Sequence, residues 1–267
     1  MLELPGEFGT LQETGDLPLS PTPPDSMPQN VRPLFDAIAH RYDLLNHLLS
    51  GGLDFYWRRR AIELVRDVRP RRILDVATGT CDFAIAATSL GPEQVVGIDI
   101  SPRMLARGQA KLVRRGLERV IELREGQAEE LAFPAGAFDA VIVAFGVRNF
   151  ENLAQGLAEM HRVLRAGGGV LVLEFSLPRR FPVRQIYLLY FRRILPLVGR
   201  LISGHDEAYA YLPRTVMQFP EGGDFRRLLG DAGFIDVRER RMTFGIVTAY
   251  TGRTSSAPGT LRRDSQV

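Results

Sequence analysis

The sequence predicts an α/β fold: a doubly wound, Rossmann-like sheet of seven strands with one antiparallel strand. Three observations carry this. Short apolar runs alternate with helical stretches from Arg72 to Phe175, the pattern of βαβ units around a parallel sheet. The first strand-to-helix turn, Thr78-Gly79-Thr80-Cys81-Asp82, is tight and built from small residues. Beyond residue 233, two strand patterns are separated only by the turn at Phe244-Gly245. A pair joined without a crossover helix is antiparallel.

Taken in order, residues 1–29 are rich in Pro, Gly, Ser and Thr and poor in aromatics, which predicts a disordered leader. Leu34, Phe35, Ile38, Ala39, Tyr42, Leu45 and Leu49 recur at three- and four-residue steps, an amphipathic helix that Gly51-Gly52 breaks. A second helix, about Phe55 to Val68, carries Trp57, Ile62 and Val65. Neither belongs to a minimal α/β core, so residues 30–69 are expected to cap the ligand edge of the sheet.

Ile73 to Ala77 reads as the first strand, and a helix of small apolar residues follows until Gly91-Pro92. Val95 to Ile98 is the second strand, ending in Asp99. Ser101-Pro102 supplies a hydroxyl N-cap and an N1 proline to a helix that Gly116 ends. Val120 to Leu123 is the third strand and runs into Gly126-Gln127-Ala128. A turn at Pro134 to Gly136 leads to the fourth strand, Asp139 to Ala144. A helix from about Asn152 to Leu164 and a fifth strand, Gly169 to Phe175, complete the alternation. Residues 178–222 break it with an apolar helical stretch, interrupted by Pro196 and studded with Arg184, Arg192, Arg193 and Arg200. A short helix, Asp224 to Asp231, and strands at Phe234 to Met242 and Ile246 to Thr251 close a single domain spanning 30–252. Residues 253–267 are expected to form a flexible tail.

Composition narrows the class. The 45% apolar and 24% charged content is that of a soluble globular protein. No apolar run reaches the ~18 residues of a membrane span, and neither a secretory nor a mitochondrial leader pattern is present. The lone Cys81 precludes an intrachain disulfide and a cysteine-rich zinc site. His40, His47, His161 and His205 lack metal-ligand spacing, so a cytoplasmic protein with no metal is expected. Residues 1–30 hold five acids and no Lys or Arg, leaving about +8 on the remainder, spread over its surface without the clustering that nucleic acid requires. Lys111 is the only lysine among 34 basic residues; that bias is read as coding composition.

The first turn brings backbone N–H groups to a ligand, and Asp99 at the tip of the second strand can accept both hydroxyls of a ribose. A dinucleotide needs G-x-G-x-x-G so that a pyrophosphate can rest on bare backbone. Here Gly79 stands alone, flanked by Ala77 and Cys81. The looser D-x-x-x-G of Asp75 and Gly79 suits S-adenosylmethionine, which presents an amino-acid end and no phosphates. The reversed strand points the same way.

Longer stretches are more specific: FDAIAHRYDLLNHLLSGGLDFYWRR, LDVATGT, GIDISPRML, AFGVRNF, RVLRAGGGVLVLEFSLP, AYAYLPRTVMQFP and GIVTAYTG, together spanning about residues 31–252. On these the chain resembles the menaquinone and ubiquinone C-methyltransferase family, S-adenosylmethionine-dependent enzymes that methylate the ring carbon of a polyprenyl quinol. The resemblance implies the class I S-adenosylmethionine-dependent methyltransferase fold. It implies cofactor contacts from Thr78, Asp99, Gln127 and Ala128, beside Gly79, with Gln127 and Ala128 placed to read adenine. It points to Arg148 and Asn149 as catalytic residues, and raises a substrate-facing role for Tyr42 and Asn46, one helical turn apart.

A guanidinium is a poor base in water, so Arg148 is expected to stabilise a developing phenolate; an arginine base acting through water stays open. The alternative is that Arg148 pairs with an acid and Asn149 caps the following helix. For Tyr42 and Asn46 it is a polar edge on a packing helix. Residues 178–222 would form a substrate lid, their apolar side chains lining a prenyl path and their arginines touching anionic headgroups at the inner face of the membrane. An ordinary core helix or a homodimer contact is the other reading. Cys81 stands where relatives commonly have glycine, a possible crowding of the cofactor or, alternatively, a reactive thiol. Ala144 sits where ubiquinone-pathway members often carry serine. That departure favours demethylmenaquinol over the ubiquinone precursor 2-polyprenyl-6-methoxy-benzoquinol. A non-catalytic cofactor-binding subunit of a quinone-synthesis complex is the alternative of a different class.

Overall fold

The computed structural model describes residues 32, 33, 36, 39, 43, 47, 50–194 and 213–256. Its strands are β1 (Arg72–Val76), β2 (Gln94–Asp99), β3 (Ile121–Glu125), β4 (Phe138–Ala144), β5 (Leu164–Phe175), β6 (Ile235–Met242) and β7 (Val247–Arg253). They form one sheet in the order β3-β2-β1-β4-β5-β7-β6. The first five run parallel to one another, and β7 runs antiparallel to both β5 and β6. The reversed strand is therefore the last in the chain, slotted between β5 and β6.

Parallel strands covered on both faces read as continuous apolar runs, and β1 shows why. Leu74 and Val76 enter one core with Val96, Val141 and Val172. Ile73 enters the other with Val95, Ile142 and Leu171. The first face is covered by α4 (Leu153–Arg162) and α6 (Gly223–Asp231). The second is covered by α1 (Leu53–Ile62), α2 (Asp82–Ala87) and α3 (Pro102–Arg115). Ser101 caps α3 as its sequence requires, accepting a bond from the Met104 N–H at 3.1 Å.

The second helix of the expected cap proves to be part of this layer. Trp57, Ala61 and Ile62 of α1, with Val65 and Val68 of the tighter 3₁₀ turn that continues it, pack on β1, β4 and β5. The reason lies in the connectivity. The β6–β7 hairpin brings no crossover helix, so this sheet face needs cover from elsewhere, and an apolar stripe at three- and four-residue steps provides it.

Two boundaries also differ. β5 begins at Leu164, earlier than its apolar run, and a register shift against β4 absorbs the glycines before Gly169. At the other end, Thr254 N donates to Gly168 O at 3.0 Å and Gly167 N to Ser255 O at 3.3 Å, so the fastened chain passes the expected limit at 252. Within residues 178–222, α5 (Val183–Leu189) continues into a π-turn at Tyr190–Ile194, and residues 213–218 are helical. The break expected at Pro196 lies outside the described residues.

Candidate active site

The turn after β1 is held by left-handed backbone at Ala77 (φ 52°), Gly79 (φ 56°) and Cys81 (φ 72°). Small residues are needed because backbones crowd there: a methyl on Gly146, beyond β4, would lie 2.7 Å from Ala77 Cβ. Thr78 N donates to Ile98 O at 2.9 Å, and its buried hydroxyl donates to Asp75 Oδ2 at 2.6 Å. Thr78 therefore faces inward and shapes the turn, while its predicted partners line the groove. Burial pushes the Asp75 carboxyl up to about 7, against the opposing pull of the Thr78 hydroxyl and the Ala84 amide.

Asp99 closes β2 at the carboxyl edge of the sheet. Its Oδ2 accepts from Gly79 N at 2.8 Å and its Oδ1 from Ser101 N at 2.9 Å. A carboxylate offers about four acceptor sites, so further hydroxyls can bind while these bonds persist. Burial raises its pKa, opposed mainly by the Ser101 and Gly79 amides. Gly79, Asp99, Gln127, Ala128 and Asn149 all line one groove. Gln127 is exposed at its rim and Ala128 is buried in its wall, with the Gly126 N–H tied to Asp99 O at 3.1 Å.

Arg148 and Asn149 occupy a 3₁₀ turn, Val147–Asn149, but do not share a direction. Asn149 lines the groove. Arg148 is buried and absent from its lining; its Nη1 donates to Glu174 Oε1 at 2.7 Å and to Phe145 O. The reading of Arg148 as the partner of an acid is thus realised. Its counterpart for Asn149 is not, because the cap of α4 is Asn152, whose side chain accepts from Gln155 N at 3.1 Å. Burial raises the Glu174 pKa, countered first by Arg148 and then by the Phe175 amide. Glu174 was legible as an acid ending an apolar strand, yet its partner lies 26 residues away. Tyr42 and Asn46 fall outside the described residues.

A profile of the ubiE/COQ5 methyltransferase family matches residues 25–254. The chain belongs to that family. It is 46% identical over 224 residues to a demethylmenaquinone methyltransferase of Bacteroides fragilis, covering 84% of this chain and 91% of the relative. It is 46% identical over 220 residues to the demethylmenaquinone methyltransferase of Thermus thermophilus, covering 82% and 99%. Among solved structures, an S-adenosylmethionine-dependent methyltransferase of Thermotoga maritima, described as a possible histamine N-methyltransferase, aligns with a TM-score of 0.59 at 14% identity. That alignment covers 85% of this chain and 100% of that one. The likeness establishes the class I methyltransferase fold, and the chain is a methyltransferase of the ubiE/COQ5 family.

In this methyltransferase Cys81 neither crowds the groove nor offers a reactive thiol. Its side chain is fully buried against α3, and burial pushes the thiol up to about 12. The sole lysine has a role that composition hid. Lys111 on α3 is buried, with Nζ 2.6 Å from Asp82 Oδ1 and 2.9 Å from Asp43 Oδ2. Thr80 donates to the same Asp43. His47 Nδ1 lies 2.8 Å from Asp54 Oδ2 and its ring stacks on Phe55. Ser101 Oγ donates to Asp36 Oδ1 at 2.5 Å. Asp43 is thereby tied to Thr80 of the turn after β1, Asp36 to the start of α3 and His47 to α1. The partners of Asp36 and Asp43 lie far along the chain, so the sequence signal for these polar residues was weak.

Proposed function

We propose that this chain transfers the methyl group of S-adenosylmethionine to a ring carbon of demethylmenaquinol, giving menaquinol. The observation that carries the reading is the single groove joining Asp99, Gly79, Gln127, Ala128 and Asn149 at the carboxyl edge of the sheet, in a chain 46% identical to demethylmenaquinone methyltransferases.

The residues fit the cofactor by their donor and acceptor chemistry. Asp99 retains acceptor sites for two ribose hydroxyls, and the turn from Ala77 to Gly79 offers bare backbone beside it. Gln127 supplies an amide and Ala128 a backbone N–H for an adenine edge. When bound, S-adenosylmethionine supplies an electrophilic methyl group on a sulfonium. The chain's task is then to hold an aromatic carbon in line with it, and such alignment can account for much of a barrier. Asn149 on the groove wall orients the acceptor. Arg148 stabilises negative charge on the acceptor's oxygen. Tyr42 and Asn46 are assigned to the acceptor on the family resemblance.

The lid reading extends to residues 178–194. Phe181, Ile186 and Leu189 are exposed beside the exposed Arg179, Arg180 and Arg184, which supports peripheral contact with an anionic membrane where a prenylated acceptor resides. Among the described residues no helix is long and apolar enough to cross a membrane.

The test is radiolabelled methyl transfer to demethylmenaquinol and to 2-polyprenyl-6-methoxy-benzoquinol, side by side. Label in the naphthoquinol product supports the proposal; label only in the benzoquinol reassigns the acceptor, and label in neither removes the quinol reading.

A further inference from the structure

Three polar atoms at the Arg148 end of the site are buried and without a hydrogen-bond partner among the described residues: Arg148 Nε, Glu174 Oε2 and the Tyr187 hydroxyl. Their side chains converge around Phe175. The Arg148 guanidinium lies 5.8 Å from the centre of that ring, Glu174 directly precedes it, and Tyr187 packs in the same apolar cluster with Phe191 and Val216. Arg148 and Glu174 also act electrostatically on the Tyr187 hydroxyl. Phe175 also packs on Phe145, with ring centres 4.5 Å apart, and on Trp57, at 6.2 Å.

Buried polar atoms are nearly always paired, and each exception calls for an occupant. The chemistry of this set defines one. Arg148 Nε–H can only donate, Glu174 Oε2 as a carboxylate can only accept, and Tyr187 can donate. The group that completes all three has an oxygen that accepts twice and a hydrogen to give, which is a hydroxyl. Phe145, Phe175 and Trp57 form an aromatic cluster next to this set.

Resting on the quinol reading above, we propose that Arg148, Glu174 and Tyr187 form the receptor for the reacting quinol hydroxyl, with Glu174 Oε2 as the base that takes its proton. In that step the quinol O–H bond breaks and an O–H bond forms on Glu174. The electron pair stays on the quinol oxygen, where Arg148 Nε–H and the Tyr187 hydroxyl bond the resulting anion. Glu174 returns the proton to water after the product leaves. Arg148, already committed through Nη1 to Glu174, thus has no need to lose a proton.

The test uses the full chain and a short-chain 2-prenyl-1-naphthol with its O-methyl ether, their affinities measured by calorimetry without S-adenosylmethionine. The wild-type chain binds the naphthol at least tenfold more tightly than the ether, because only the naphthol has a hydrogen to give Glu174 Oε2, and Tyr187→Phe, which removes a donor to the ligand oxygen, weakens naphthol binding at least fivefold. Glu174→Gln places an N–H donor where Oε2 stood, so it narrows the naphthol preference to threefold or less and lowers kcat on demethylmenaquinol by about 10²–10⁴-fold, the usual contribution of a positioned base. Equal wild-type affinity for naphthol and ether overturns the proposal and leaves a buried water as the occupant. Wild-type turnover with kcat unchanged in Glu174→Gln overturns the base assignment while leaving the quinol reading intact. The naphthol measurement decides on the receptor even if no quinol is methylated. Should Glu174→Gln fail to fold, Tyr187→Phe, which keeps the packed ring, decides.

Discussion

The sulfur of Cys81 fills the space opposite Gly108: a methyl group built on that glycine would overlap Sγ. The two residues are a matched pair between the cofactor turn and α3. Gly108→Ala is therefore expected to destabilise the protein by about 1–3 kcal/mol through overpacking. Cys81→Gly relieves a left-handed backbone that a side chain disfavours, offsetting the small volume lost, so its net effect stays within about 1 kcal/mol. Combining the two recovers most of the loss. Urea unfolding of the three variants measures this, and unchanged S-adenosylmethionine affinity in Cys81→Gly would bear out the placement of the thiol away from the groove.

Asp99, proposed to hold the ribose of the cofactor, stands in a rigid position, with both carboxylate oxygens already tied to backbone N–H groups. Asp99→Asn retains the size but replaces one acceptor by a donor. Hydrogen bonds to charged groups contribute about 1.5–3 kcal/mol each, so S-adenosylmethionine affinity should fall at least tenfold by calorimetry. Stability should fall as well, because one of the two backbone N–H groups then faces an amide donor in place of its acceptor.

Asp75 sets a pH dependence of stability. Its folded pKa, about 7, lies above the unfolded value of 3.8, so the folded state binds the proton more tightly. The resulting stabilisation is complete below about pH 4 and is lost as pH rises towards 7. Asp75→Asn cannot titrate, and its melting temperature relative to wild type should climb across that interval and level off above pH 7. A constant difference from pH 4 to 8 would contradict the assignment.

The Arg148–Glu174 pair is a buried ion pair, with side chains 7% and 1% exposed. Removing one partner strands the other, at a cost of about 3–5 kcal/mol. Arg148→Met should lose that much by denaturant unfolding, and Arg148→Met combined with Glu174→Met should regain most of it. Additive losses would mean that the two side chains act independently.

Contact between α5 and lipid is expected to be electrostatic as well as apolar. Anionic vesicles should co-sediment the protein at low salt and release it as ionic strength rises. Arg180→Glu with Arg184→Glu should abolish binding without lowering the melting temperature, since both side chains are exposed. Absence of binding at low salt would remove the membrane contact.

The strand pattern and the small-residue turn made the sheet and the cofactor edge readable, because burial on both faces and close backbone approach leave local marks in sequence. Gly79, Asp99, Gln127 and Ala128 share the groove for that reason. What escaped depended on distant pairing. The Thr78 hydroxyl is given to Asp75, a pairing that no local pattern announces. Lys111 looked like composition until Asp43 and Asp82 appeared on either side of it. Arg148 and Asn149 are neighbours in sequence, yet a 3₁₀ turn points them apart, and no periodicity rule orders residues within so short an element.

The place of β7 governs how the chain reaches its native state. Strands β5 and β6 have no bonds to each other; both wait for a partner that begins at Val247. A nascent or shortened chain ending before that residue holds two unsatisfied ladders, one of them on the apolar β5, and such edges recruit other chains. C-terminal truncation should therefore show first as insoluble protein during synthesis, ahead of any effect on turnover.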